Sequence, residues 1–242
     1  MAPRRPRLGQ HFLRAERYAD LAVEAARLTG DDVVLEVGPG KGVLTRRLLA
    51  TGARVVAVEL DERLADGIAR DHPSVTLVRG DAVDAPLPPF TACVSNLPYQ
   101  ISSPFLFRLL DLPFRVAVLL VQKEFADRLV ATAGTDDYGR LSVMAAIKCE
   151  AQVIARVPPG AFDPPPRVDS ALVRLAPRAP GFDVPPNFAD VVQRAFSQRR
   201  KKLSNSLGAR DVPHADRRPE ELTPAQLAEV ARALLGRAGS GA

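Results

Sequence analysis

Glycine stands at every second position of Gly38-Pro39-Gly40-Lys41-Gly42, between the apolar run Val33–Val37 and the helical pattern Leu44–Ala50. A strand that passes through such a loop straight into a helix restricts the chain to folds built on a parallel sheet. The turn leaves the strand at its carboxyl edge, where open α/β sheets bind nucleotides. Glycines at that edge let the backbone approach a ligand closely. The spacing lacks the last, helix-packing glycine of the dinucleotide fingerprint. Taken alone, the motif also suits a plain tight turn.

The surrounding pattern agrees with an α/β fold. Runs of β-branched and aliphatic residues recur at Arg54–Leu60, Val75–Val78, Ala92–Ser95 and Arg115–Val121, with helical patterns such as Phe105–Leu110 between them. Repeated strand–helix alternation means a parallel sheet covered on both faces. Two later runs, Met144–Val157 and Ala171–Leu175, flank the proline-rich stretch Pro158–Arg167 and suit antiparallel strands at one edge of the sheet.

Pro177, Pro180, Pro185 and Pro186 then mark a linker. Beyond it, Asn187 is placed to N-cap a helix through Val191, Val192, Ala195 and Phe196. Thr223-Pro224-Ala225-Gln226 reads as a capping box opening a second helix, expected to run to Leu235 and stop at Gly236. The chain thus divides into a basic arm over residues 1–17, an α/β domain over 18–176 and a small helical domain over 177–242.

Charge is unevenly spread. Residues 1–17 carry five arginines against one acid, residues 18–155 carry 14 basic and 18 acidic residues, and residues 156–242 carry 14 and 9. Positive ends around an acidic middle point to a polyanionic partner, with Arg4, Arg5, Arg7 and the tract Arg199-Arg200-Lys201-Lys202 as phosphate contacts. No run of eighteen apolar residues exists, and no apolar segment follows the basic N-terminus, so neither a membrane span nor a signal peptide is expected. Cys93 and Cys149 are isolated within apolar runs, and His11, His72 and His214 share no ligand spacing. These residues suggest buried thiols in a reducing cytoplasm and no metal site.

Two acids sharpen the reading of the glycine loop. Glu59 closes the run Val55–Val58, 21 residues after Gly38, where a carboxylate accepts ribose hydroxyls. Asp81, after Val75–Val78, places a second acceptor near a purine amino group. A ribose carboxylate suits NAD as well as S-adenosylmethionine. The missing pyrophosphate-type glycine favours S-adenosylmethionine, as does the next motif.

Asn96-Leu97-Pro98-Tyr99 ends the fourth strand. An adenine N6 lone pair is delocalised into the ring, so this nitrogen is a poor nucleophile. The side-chain oxygen of Asn96 and the carbonyl of Leu97 can accept its two protons and draw it towards sp³ geometry. Pro98 stiffens the loop, and Tyr99 can stack on a displaced adenine. No general base is evident, so catalysis would rest on positioning.

These motifs resemble the ribosomal RNA adenine dimethyltransferase family, in its small-subunit KsgA/Dim branch. The likeness covers nearly the whole chain. It runs from Gly9-Gln10-His11-Phe12-Leu13 through the two motifs above to Tyr138–Val143, Val157–Phe162, Pro164–Ala171 and Phe196–Leu203. It implies a Rossmann-like, seven-stranded class I methyltransferase sheet with a small C-terminal helical domain. The implied reaction is dimethylation of two adjacent adenines near the 3′ end of small-subunit rRNA in the assembling subunit, by a monomeric enzyme. By position, His11 and Leu13 would line the methionine end of S-adenosylmethionine, with Gly38, Gly40, Glu59, Asp81 and Asn96 completing its site. Phe162 would face Tyr99 across the target base. His11 stands where Asn is common in the family. The Erm enzymes, which modify large-subunit RNA, share the glycine loop and the Asn-x-Pro-aromatic motif, but the blocks at 138–143 and 164–170 resemble the small-subunit branch. A non-catalytic assembly factor on this fold predicts damage to the cofactor loop or to Asn96–Tyr99, and neither is damaged.

Overall fold

The computed structural model describes residues 10–198 and 201–238. In chain order the elements are β1 (Phe12–Leu13), α1 (Glu16–Ala26), β2 (Val33–Val37), α2 (Val43–Ala50), β3 (Arg54–Glu59), α3 (Glu62–Asp71), β4 (Thr76–Arg79), β5 (Ala92–Asn96) and α4 (Ser102–Leu110). They continue with β6 (Val116–Gln122), α5 (Lys123–Val130), α6 (Arg140–Ala146), β7 (Cys149–Val157), β8 (Phe162–Asp163), β9 (Ser170–Pro177), α7 (Phe188–Ser197), α8 (Leu203–Leu207) and α9 (Pro224–Ala238).

Seven strands form one sheet in the order β4-β3-β2-β5-β6-β9-β7. β4, β3, β2, β5 and β6 are mutually parallel, and β9 joins β6 antiparallel. The central strands are buried along almost their whole length, which is why they read as continuous apolar runs rather than alternating ones. Helices α1 and α2 bring Tyr18, Ala19, Ala22, Leu44 and Leu48 against Val34, Val55, Val94 and Val118 of the sheet. A side-chain cap starts α3: Asp61 accepts from the amides of Arg63 and Leu64 at 2.9 and 3.3 Å.

The chain divides into two compact units, residues 1–126 with 152–177 and residues 127–151 with 178–242. The sequence-based boundary after residue 176 falls beside the third crossing point, but residues 127–151, expected in the sheet domain, group with the helical unit. Tyr138, Val143 and Ile147 supply the reason: they share a core with Phe188, Val191, Val192, Leu203 and Leu227. The run Met144–Val157, expected as one strand, accordingly splits. Its first residues end α6, and only Cys149–Val157 is strand, adjacent to β9 at the sheet edge.

Two helix-end expectations also change. Asn187 precedes α7 as expected but makes no side-chain cap; its Nδ2 donates to the Ala231 carbonyl at 2.9 Å. The box at Thr223 forms: the Thr223 amide donates to Gln226 Oε1 at 3.0 Å, and the Gln226 amide donates to Thr223 Oγ1 at 3.3 Å. From there α9 continues to Ala238, beyond Gly236. Among the described residues no helix is long and apolar enough to cross a membrane.

Candidate active site

Because β2, β3 and β5 are parallel, their carboxyl ends bring Val37, Glu59 and Asn96 to one sheet edge. Buried Ser95 ties that edge together by accepting the Val37 amide at 2.9 Å, while the Gly38 amide donates to Val58 O at 2.9 Å. Gly40 takes a positive φ of 56°. A Cβ there would lie 2.8 Å from the Phe12 ring, so only glycine lets the loop and the N-terminal strand close on each other. Glu59 is almost fully buried; its Oε2 accepts the Gly40 amide at 3.3 Å and its Oε1 the Asp61 amide at 2.9 Å.

Gly38, Gly40 and Glu59 line an open cleft of about 450 Å³ together with Gln10, His11, Phe12, Leu64 and Asn96–Tyr99. A smaller cavity of about 300 Å³ shares Phe12, Gly38, Gly40 and Asn96 and adds Leu13 and Glu36.

The N-terminal motif reaches the cleft through a pairing with a segment some 150 positions away. Phe12 pairs with Asp163 and Leu13 with Phe162 in the antiparallel β1–β8 ribbon, and His11 Nδ1 lies 2.8 Å from Pro164 O. Asn96 Nδ2 donates to the His11 carbonyl at 3.2 Å. That bond fixes which end of the amide is which, leaving Oδ1 as the remaining acceptor. Tyr99 stands beside His11, ring centroids 5.6 Å apart, and its phenol oxygen lies 2.6 Å from Ser170 Oγ.

The carboxylates are electrostatically unusual. Burial, with the nearby charge of Glu59, pushes Glu36 up to about 8, although Thr45 Oγ1 donates to it at 2.7 Å. Burial also raises Glu59, against the amide bonds from Asp61 and Gly40. Buried acids of this kind favour a cationic ligand, which restores the charged form.

Two expected site residues are absent from the lining of both cavities. Phe162 is only 2% exposed and packs in the core of the sheet unit, held by its pairing with Leu13. It lines neither of the two cavities. Asp81 lies at the correct sheet edge, half-buried, but lines neither cavity; its Oδ1 accepts the Val83 amide at 2.8 Å. Lys201 and Lys202 are exposed, whereas Arg4, Arg5, Arg7, Arg199 and Arg200 lie outside the described residues. No metal-binding group of His, Cys, Asp and Glu exists among the described residues. Gln10, Phe12, Leu64 and Glu36 also line the cavities, although sequence reasoning gave them no role. Gln10, Phe12 and Glu36 lie inside motifs visible in the sequence, while Leu64 carries no sequence signal of its own.

A glycine cradle that a Cβ would fill, a buried carboxylate at the end of β3 and acids suited to a cation fit S-adenosylmethionine. Fold and site together define a class I methyltransferase with S-adenosylmethionine as cofactor, and the comparisons agree. The model of the ribosomal RNA adenine dimethylase family matches residues 1–231, and the chain belongs to that family. The chain is 45% identical over 208 residues to the "probable ribosomal RNA small subunit methyltransferase A" of Methanospirillum hungatei, covering 83% of this chain and 81% of the relative. The relative of the same name from Methanococcoides burtonii is 41% identical over 243 residues, covering 92% and 90%. Among solved structures, a dimethyladenosine transferase from Plasmodium falciparum superposes with a TM-score of 0.83 at 26% identity, covering 94% of this chain and 98% of that one. The 23S rRNA methyltransferase ErmE superposes at 0.72 with 30% identity, covering 92% and 99%.

Proposed function

We propose that this protein transfers methyl groups from S-adenosylmethionine to N6 of two adjacent adenines near the 3′ end of small-subunit rRNA, two methyls to each. It acts as a cytoplasmic monomer on the assembling small subunit. The observation that carries the reading is the Asn96 amide, whose nitrogen is occupied by the His11 carbonyl so that Oδ1 remains as acceptor in the cleft beside Gly38 and Glu59. The small-subunit reading is favoured over the Erm reading by identities of 41–45% to proteins with the small-subunit name, against 30% to ErmE.

S-adenosylmethionine supplies an activated methyl group on a positively charged leaving group, so the protein's residues are left with positioning. Glu59 accepts the ribose hydroxyls, Asp81 the purine amino group, and His11 and Leu13 stand at the methionine end. Asn96 Oδ1 and the Leu97 carbonyl accept the two N6 protons of the target base, localising its lone pair on nitrogen. Pro98 stiffens the loop that follows them. Tyr99 offers one stacking face, with His11 beside it; Phe162 supports this wall from the core. The helical unit, with Arg199, Arg200, Lys201 and Lys202, and the arm with Arg4, Arg5 and Arg7 neutralise rRNA phosphates.

Asn96→Ala tests the assignment. Cofactor affinity by calorimetry is expected to hold while transfer falls roughly 10²–10³-fold, the scale seen when one preorganised hydrogen bond is removed. Near-normal turnover would remove Asn96 from its role.

A further inference from the structure

Arg108 sits on α4, two turns after the Asn96–Tyr99 motif, and its guanidinium donates to two backbone carbonyls of a different loop: Ala82 O at 2.8 Å and Ala85 O at 2.7 Å. That loop is the turn opened by Asp81. The Asp84 and Ala85 amides donate back to the Asp81 carbonyl at 3.1 and 2.7 Å, and the Val83 amide donates to Asp81 Oδ1 at 2.8 Å. Arg108 is half-buried, and both of these bonds end on main-chain oxygens. A forked, permanently charged group spanning two carbonyls three residues apart fixes the shape of the turn between them, and charge-assisted bonds are the stronger kind.

We infer that Arg108 is a positioning residue for the cofactor's purine: it clamps the 82–85 turn so that the Asp81 carboxylate is held where the adenine amino group arrives. This inference rests on the reading of Asp81 under Proposed function. It also ties the purine end of the site to the helix that begins at the target-base motif, since Ser102 at the start of α4 donates to Pro98 O at 3.4 Å.

The test compares binding of S-adenosylhomocysteine with that of its analogue carrying a 6-oxo purine, which has no amino group to donate. The proteins are the wild type, Arg108→Ala, Arg108→Lys and Asp81→Ala. Arg108→Ala should raise KM for S-adenosylmethionine roughly tenfold with kcat at saturation nearly unchanged, and reduce the preference for the adenine compound by a similar factor. Arg108→Lys, which reaches one carbonyl, should recover part of that preference. Asp81→Ala should lose it, and adding Arg108→Ala to Asp81→Ala should remove no more.

If Asp81→Ala loses the preference but both Arg108 variants keep it, the inference fails and the Asp81 reading stands. Equal weakening of both compounds in both Arg108 variants, with a lowered Tm, makes Arg108 a mere structural support and overturns the inference. If Asp81→Ala itself keeps the preference, the Asp81 reading falls and takes the inference with it.

Discussion

The phenol oxygen of Tyr99 lies 2.6 Å from Oγ of Ser170, a side chain with no exposed surface at the start of β9. The proposed stacking residue is therefore pinned from behind by a buried hydroxyl. Tyr99→Phe keeps the π-face but leaves Ser170 Oγ buried without this partner, at about 1–3 kcal/mol. The single change should lower Tm with only modest loss of transfer, and the pair Tyr99→Phe with Ser170→Ala should recover the stability. Tyr99→Ala should lose stacking worth roughly 1–3 kcal/mol in RNA affinity. A double-mutant cycle in thermal unfolding, with transfer rates beside it, decides; additive losses would mean that the hydroxyl pair is not coupled.

Gly40→Ala should damage cofactor binding far more than Gly208→Ala. Both positions hold positive φ, 56° and 68°, so a side chain at either meets the left-handed penalty of roughly 1–2 kcal/mol. A Cβ on Gly40 also meets the Phe12 ring at 2.8 Å, whereas nothing lies within 4 Å at Gly208. Displacing Phe12 loosens β1 from the cleft wall. Calorimetry should find weaker S-adenosylmethionine binding in Gly40→Ala and wild-type affinity in Gly208→Ala; equal affinities would uncouple the loop from the strand.

The Glu36 carboxyl gives a pH signature. Its folded-state pKa, pushed by burial to about 8, lies above that of an unfolded glutamate near about 4.3. The folded form thus holds the proton more tightly, and the associated stability is present at low pH and lost as pH rises through about 8. Glu36→Gln, which keeps an acceptor for Thr45, should flatten the decline of Tm between about pH 5 and 8. Asp32 works in the opposite sense. Burial raises it, but bonds from Thr91, Thr29 and Arg115 outweigh that and hold it below the usual carboxylate range. Its contribution is present at neutral pH and lost on acidification. An unchanged Tm profile in Glu36→Gln would mean that this carboxyl is ionised in the fold.

RNA binding should depend steeply on salt through the basic ends. Replacing Arg199, Arg200, Lys201 and Lys202 with Gln should weaken small-subunit binding and flatten the log–log salt slope by roughly 0.7–0.9 for each phosphate that is no longer neutralised. Cofactor affinity should stay unchanged. The same slope and affinity in this variant would make the tract a solvated surface.

Much of the site was legible because its residues follow strand ends, where local pattern and ligand chemistry coincide. Val33–Val37 and Ala92–Asn96 appear at the expected places, and with them Gly38, Glu59 and Asn96. What stayed hidden is non-local. Nothing in the local pattern around Phe162 shows that it pairs with Leu13, yet that ribbon places its ring in the core cluster of the sheet unit. Met144–Val157 misread as one strand because a short apolar run carries no period that separates a buried helix turn from a strand. Arg108 belongs to no motif, since its two acceptors are backbone atoms, which leave no mark in the sequence.

A nucleoside map decides the proposed reaction. Unmodified small subunits are incubated with this protein and methyl-labelled S-adenosylmethionine, and the rRNA is digested and analysed by mass spectrometry. N6,N6-dimethyladenosine is expected at two adjacent adenines near the 3′ end of the small-subunit RNA, forming roughly 10²–10³-fold more slowly with Asn96→Ala. Label in large-subunit RNA alone, or dimethyladenosine formed equally well by Asn96→Ala, would contradict the assignment.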